Sequence, residues 1–141
     1  MRSRSTFALA VVGLLTGLAG CSSILNPIIN PPSPLDGAWK LEAADALNLA
    51  TTLTFDSNGA VTNVAYTVGD VASIPDDSPQ AAVEIDGDNV VVSLIFGGNA
   101  LVFSGTFNDD RSVISGRVTG VVSAGDVVVT LTNQAATLTK Q

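Results

Sequence analysis

The stretch VVVSLIFGGNALVFSGTF, residues 90–107, contains the pattern that decides the fold of this 141-residue chain. Two apolar segments, residues 90–96 and 100–107, flank the turn residues Gly97, Gly98 and Asn99. Two short apolar segments joined by a glycine-rich turn are typical of an antiparallel hairpin. We therefore predict two paired strands here.

The same pattern extends through residues 35–141, where turn residues recur roughly every eight to twelve positions and helical periodicity is nearly absent. The predicted strands are 38–43, 51–55, 60–68, 81–85, 90–96, 100–107, 113–122, 127–132 and 136–140. Short polar turns between them predict that consecutive strands are neighbours. We expect an all-β antiparallel meander, an up-and-down β-barrel of about eight strands, with a β-sandwich as the alternative.

Alternation along these strands also predicts which side chains face the core. The inward set is Trp39, Leu41, Leu53, Phe55, Val64, Tyr66, Val83, Ile85, Val92, Leu94, Phe96, Leu101, Phe103, Phe107, Ile114, Val118, Val127, Val129 and Leu138. Gly105, Gly116 and Gly120 are predicted sites of strand bending or coiling. Residues 90–96 are apolar on both faces, which predicts a cover on their second side, either residues 44–49 or a second subunit.

The start of the chain has the pattern of a secretory signal. Arg2 and Arg4 precede an apolar run over residues 7–18, and this run is short for a helix that crosses a membrane. Leu18-Ala19-Gly20-Cys21 resembles the lipobox of bacterial lipoproteins. The resemblance implies cleavage before Cys21 and attachment of lipid to its thiol. Because the chain has a single cysteine, it forms no internal disulfide, and Cys21 is predicted to be an anchor.

The residues after this cysteine predict a tether and a location. Four of the six prolines lie in residues 27–34, and proline favours extended chain. We therefore divide the chain into a removed signal peptide (1–20), a lipidated N-terminus and tether (21–34) and one β-domain (35–141). Ser22 follows the cysteine, where an aspartate would favour the inner membrane of enteric bacteria. We expect a lipid-anchored protein of the cell envelope, on the periplasmic or surface face of the outer membrane.

The charge of the chain excludes one class of partner. Removal of Arg2 and Arg4 changes the formal net charge from −7 to about −9, and so acidic a surface repels nucleic acid. The partners that we expect are the membrane, through the lipid on Cys21, and either a protein or a small apolar ligand.

The residues needed for most catalytic mechanisms are missing. The chain has no histidine, its cysteine is assigned to lipid, and it has no Gly-x-Ser-x-Gly motif. The adjacent acids Asp76 with Asp77 and Asp109 with Asp110 lie in predicted turns, so we predict no enzyme activity and no cofactor. We predict no metal site either, and the only weak candidates, for Ca²⁺, are Glu84, Asp86 and Asp88.

Gly37-Ala38-Trp39 resembles the Gly-x-Trp signature in the first strand of lipocalins and their smaller bacterial relatives. The resemblance implies that Trp39 closes one end of a barrel and packs against a basic side chain from a late strand, either Lys140 or Arg117. Three functions remain open at this point. The β-domain is expected to be a non-catalytic structural or interaction module, with a lipocalin-like carrier of a small apolar ligand and a weakly Ca²⁺-binding adhesin-like domain as alternatives.

Overall fold

The computed structural model describes residues 31–44, 46, 49–72 and 75–141. The predicted signal peptide, Cys21 and most of the tether lie outside these residues. Residues Pro32–Gln141 form one compact unit. Within the described ranges the chain forms strands β1 (Gly37–Ala43), β2 (Ala50–Phe55), β3 (Val61–Val68), β4 (Val71–Ala72), β5 (Gln80–Asp86), β6 (Asn89–Phe96), β7 (Asn99–Phe107), β8 (Val113–Ala124) and β9 (Val127–Lys140).

The strands form a single antiparallel sheet in the order β4-β3-β2-β1-β9-β8-β7-β6-β5. Strands that are neighbours in the sheet are also consecutive in sequence, except that β1 pairs with β9 and so joins the first and last of these strands. The sheet curls into a nearly closed barrel, and the opening between β3 and β5 is called the seam below. This confirms the predicted all-β meander and its up-and-down barrel over the sandwich alternative.

The hairpin at residues 90–107 forms as its sequence predicts. Phe96 pairs with Asn99 across a two-residue turn, and Gly97 and Gly98 have φ values of 51° and 80°. Positive φ at both central residues is typical of a type I′ turn, whose twist matches the twist of paired strands. Glycine adopts these φ values without steric cost.

The inward side chains of the strands form one continuous apolar core. Its largest fully buried members are Trp39, Phe55, Phe96 and Phe103. Burying each such side chain contributes about 1.5–3 kcal/mol, which matters in a small domain without disulfides. Most of the predicted inward set is buried, but Ile85 and Val127 are 39% and 37% exposed. Both residues lie close to a turn at the rim of the barrel, where inward-facing side chains reach solvent.

Two of the predicted bending sites lie opposite each other. Gly105 on β7 pairs with Gly116 on β8. A Cβ atom at Gly105 would lie 2.7 Å from the carbonyl oxygen of Ser115, and one at Gly116 would collide with the carbonyl oxygen of Ser104. The strands therefore approach each other more closely here than any side chain permits. Farther along β8, the pairing with β9 shifts register between Val118 and Gly120.

Two details of the strand prediction are wrong. The strands expected at 127–132 and 136–140 are one strand, β9, because the chain at Asn133, with a φ of 49°, bulges without leaving the sheet. The two-residue strand β4 was not predicted. Within the described residues, Ile95 on the outer face of β6 is 56% exposed, and Leu49 is buried in the core instead of covering that face. A second subunit, the other predicted cover, stays a prediction.

Candidate functional site

One end of the barrel is closed by Trp39, and we call it the tryptophan end. Trp39 is fully buried, and its indole Nε1 donates a hydrogen bond to the carbonyl oxygen of Leu35, 2.7 Å away. Leu35 is fully buried too, as the chain enters the barrel. The Phe107 ring meets Trp39 edge to face at 6.1 Å. This end is thus closed by apolar side chains and one hydrogen bond.

Lys140 lies against the same tryptophan. Strand pairing between β1 and β9 places Lys140 opposite Trp39, and its Nζ is 5.8 Å from the centre of the Trp39 rings. This separation is within the range of a cation–π interaction. Gly37, the first residue of β1, has a φ of 108°, which favours glycine; an added Cβ would make only an ordinary contact with the Lys140 Cε, at 3.7 Å.

Arg117, the other basic residue that the resemblance implied, has a different position. Its Nη1 donates to the carbonyl oxygen of Asn133 at 2.7 Å, while the Asn133 N–H donates to Thr119 Oγ1 at 3.0 Å. Arg117 therefore binds the bulged carbonyl of β9 instead of Trp39. This is a structural contact on the sheet.

A turn on the rim of the tryptophan end carries the chain's one clearly perturbed acid among the described residues. Hydrogen bonds from the Ser112 hydroxyl and the Ser112 backbone N–H stabilise the Asp110 carboxylate. They hold the pKa of Asp110 below its ordinary value. Next to it, Arg111 lies 5.3 Å from the centre of the Phe107 ring and pairs with Asp88 at 3.3 Å. These groups are exposed, so they act as turn and surface contacts.

The opposite end of the barrel, the asparagine end, is closed by polar groups. Asn99 is only 2% exposed, and its Nδ2 donates to the Tyr66 hydroxyl at 2.9 Å. Its Oδ1 accepts from the Ser123 N–H at 2.8 Å and from the Ser123 hydroxyl at 3.0 Å. Tyr66 in turn donates to the Ser123 carbonyl oxygen at 2.9 Å. This network joins β3, β7 and β8 across the end of the barrel.

Asp76 connects the two sides of the seam. Its backbone forms two hydrogen bonds with Val64 of β3, at 2.8 and 2.9 Å, and its carboxylate accepts from the Gly97 N–H at 3.1 Å. Asp76 Oδ1 also accepts from the Ser78 N–H. Asp76 therefore stabilises its own turn through Ser78 and connects β3 to the β6–β7 turn. Beyond it, a groove of about 280 Å³ lies between the β2–β3 turn and β5.

The acids considered as metal ligands or catalytic groups are not gathered into a site. Glu84, Asp86 and Asp88 are exposed along β5 and its turn, and the described residues contain no group of three acidic, histidine or cysteine side chains that could hold a metal ion. Asp76 and Asp110 each bind neighbouring turn residues. Cys21, the predicted lipidation site, lies outside the described residues.

The outer face of β5 to β8 has a shallow apolar groove of about 560 Å³. Ala82, Ile95 and Val102 line it together with small and uncharged polar residues, and none of its lining side chains is charged. Ile95 and Val102 are about half exposed. Exposed apolar surfaces are candidates for contacts with other molecules, and this groove is the candidate surface of the domain.

Sequence reasoning missed the network at the asparagine end. Asn99 was assigned only to a turn, because asparagine after two glycines is an ordinary turn residue. Its partners Tyr66 and Ser123 lie 33 and 24 residues away. The only local signal was the position of Asn99. It directly precedes the predicted strand 100–107, and it is two residues before Leu101, which belongs to the predicted inward set.

The chain matches no protein-family model, no curated protein and no solved structure. Among the described residues, no helix has the length and apolar character to cross a membrane.

Proposed function

We propose that this chain is a lipid-anchored protein of the bacterial cell envelope, whose β-barrel is a non-catalytic structural or interaction module. The observation that carries the proposal is the position of Cys21. It is the chain's only cysteine, it ends the apolar run in the sequence Leu18-Ala19-Gly20-Cys21, and a proline-rich segment follows it. Two or three acyl chains on this residue give a hold that a single chain does not.

The point at which the tether meets the barrel supports this arrangement. Ser33 donates its N–H to the carbonyl oxygen of Ser57 at 2.8 Å, beside the tryptophan end, and Leu35 enters the core there. The 13 residues 21–33, if fully extended, span at most roughly 45 Å.

The interior of the barrel supports an interaction or structural role over a carrier role. Large side chains from most strands are fully buried and pack against one another, so the apolar area serves the stability of a small domain. The apolar groove lies on the outer surface of the barrel, on β5 to β8.

The test is to express the full chain in a bacterium that processes lipoproteins and to label it with a radioactive fatty acid. We expect the mature wild-type chain to begin at an acylated Cys21 and to sediment with membranes. Cys21→Ser should lose label and membrane association, because a hydroxyl does not replace the thiol in acylation. Ser22→Ala is the matched control and should behave like the wild type. An unmodified mature terminus, or one that lies elsewhere, would contradict the proposal.

The outer membrane is the proposed destination. In an enteric host, Ser22→Asp places an aspartate beside the anchor and should shift the protein toward the inner-membrane fraction. Equal fractionation of the wild type and Ser22→Asp would remove the support for outer-membrane sorting while leaving the anchor itself intact.

A second candidate is a lipocalin-like carrier, which two observations favour. Lys140 packs on Trp39 at the closed end, as the resemblance implies, and the buried Thr51 Oγ1 has no hydrogen-bond partner within the described residues. A ligand that binds only the folded chain must raise its melting temperature. We expect a fluorescent fatty acid to show no saturable binding and no thermal shift. Micromolar binding that Thr51→Val weakens would favour the carrier instead.

A further inference from the structure

The outer face of β6, β7 and β8 carries exposed aliphatic side chains toward the asparagine end. Ile95, Val102 and Val121 are each about half exposed, and a buried core residue follows each of them in sequence. Strand pairing arranges this part of the face in two rows, Ile95-Ala100-Val121 and Ser93-Val102-Thr119. Neither row contains a charged side chain. We call the two rows the uncharged face.

The acidic residues of the β-domain lie mainly in turns at the two ends of the barrel, as Asp70, Asp110 and Asp126 do. The chain has a formal net charge of −7, or about −9 once Arg2 and Arg4 are removed. Two copies that approach end to end therefore repel each other. Across the uncharged face they meet without bringing like charges together.

The uncharged face is complementary to itself. A two-fold dimer uses the same patch on both copies, and packed sheets keep their strands roughly aligned. If the axis runs along β7, each β7 residue lies opposite the same residue of the other copy, and β6 lies opposite β8. Val102 of one copy then meets Val102 of the other. Ile95 meets Val121, and this contact occurs twice.

The next row toward the tryptophan end carries charges of opposite sign. Strand pairing aligns Glu84 on β5 with Val91, Ser104 and Arg117 on β6 to β8. The axis along β7 places β5 of one copy over β9 of the other, and Arg117 extends toward β9, where it binds the Asn133 carbonyl oxygen. Arg117 therefore extends toward Glu84 of the other copy. Exposed charges arranged in this way steer two surfaces into register.

We propose that two copies of this chain associate through the uncharged face, around a two-fold axis that runs along β7. The inference rests on the proposed membrane anchor and names a partner for the interaction module. Because the axis is parallel to the strands, both tryptophan ends, where Ser33 joins the barrel, point the same way. Two copies anchored in one membrane require this arrangement.

The contact is small. Three strands about 4.8 Å apart, each contributing about six residues, form a face on the order of 300 Å². A stable complex buries about 800 Å² on each partner. We therefore expect the dimer to form on the membrane, where confinement raises the effective concentration, and to dissociate in dilute detergent.

Cross-linking on β7 tests the contact. Cells that express the full chain with Ala100→Cys are treated with a bis-maleimide whose reach matches the separation of about 10 Å between packed sheets. We expect a covalent dimer, because Ala100 lies on the axis and faces its own copy. Thr52→Cys, on β2 and four strands away in the sheet, is the matched control and should give far less product. Excess detergent before treatment should remove the difference.

A charge exchange tests the axis. Val102→Lys and Val102→Glu, each combined with Ala100→Cys, place like charges opposite each other and should lower the yield about fivefold or more. Cells that express both variants should recover the product as a mixed dimer, since lysine then faces glutamate. Val102 is about half exposed, so both variants should keep the fold, which melting curves of the purified chains check.

Three results would overturn the proposal. They are equal product from Ala100→Cys and Thr52→Cys, a yield that Val102→Lys leaves unchanged, and no recovery in the mixture. The wild type, whose only thiol is Cys21, gives no product when that thiol carries lipid. A wild-type product would refute the anchor, and the excess of the Ala100→Cys product over it would still test the dimer.

Discussion

The two ends of the barrel are closed by different chemistry. At the tryptophan end, Trp39 and Leu35 are fully buried and share a single side-chain hydrogen bond. At the asparagine end, the buried Asn99 takes part in three hydrogen bonds, with Tyr66 and Ser123. Apolar burial is proportional to area and tolerant of geometry, whereas a buried polar network contributes only while all its members are paired. The ends should therefore respond differently to substitution.

The largest effect is expected at the tryptophan end. Trp39→Ala removes the ring that packs on Phe107 and Lys140 and leaves a cavity, so it should lower the free energy of unfolding by about 3–5 kcal/mol. Trp39→Phe is the matched variant and should cost less, since it keeps an aromatic ring but loses the hydrogen bond to Leu35. Urea denaturation measures both. A loss under about 1 kcal/mol for Trp39→Ala would mean that this end is not closed by the tryptophan.

An intermediate effect is expected at the asparagine end. Asn99→Ala removes three hydrogen bonds and leaves the Ser123 N–H without its acceptor, which should cost about 1–3 kcal/mol. Asn58→Ala, in the exposed β2–β3 turn, is the control and should be nearly neutral. If the two substitutions have equal effects in urea denaturation, water replaces the network and the contrast between the ends disappears.

These two ends also show how far the sequence leads. The turn at Gly97 and Gly98 and the alternation of apolar residues along each strand are local patterns with local physical causes, so the hairpins and most inward residues, Trp39 among them, could be predicted from the sequence. The long β9 does not follow, because the bulge at Asn133 depends on Arg117 and Thr119 from the neighbouring strand.

The candidate surface was less accessible to sequence reasoning than the fold. Residues 90–96 are apolar on both faces, and this pattern predicts a cover over Ile95 without saying what forms it. Within the described residues Ile95 is 56% exposed. Whether a distant segment or a second subunit covers an outer face depends on contacts far apart in sequence, and the alternation along one strand does not encode them.

The smallest effect is expected from acid on the rim of the tryptophan end. Ser112 stabilises the ionised form of Asp110 in the folded chain and so lowers its pKa. A carboxyl group with a lowered folded-state pKa contributes stability that is fully present above its unfolded pKa of about 3.9. That contribution is lost as the pH falls through the lower folded-state value. The wild type should therefore melt slightly above Asp110→Asn at pH 6, and the difference should vanish as the pH falls below about 3.9. Asp109→Asn makes the same charge change one residue away and serves as the control in thermal melts from pH 6 downward. Identical pH profiles for the two variants would show that the Ser112 contacts do not stabilise this end.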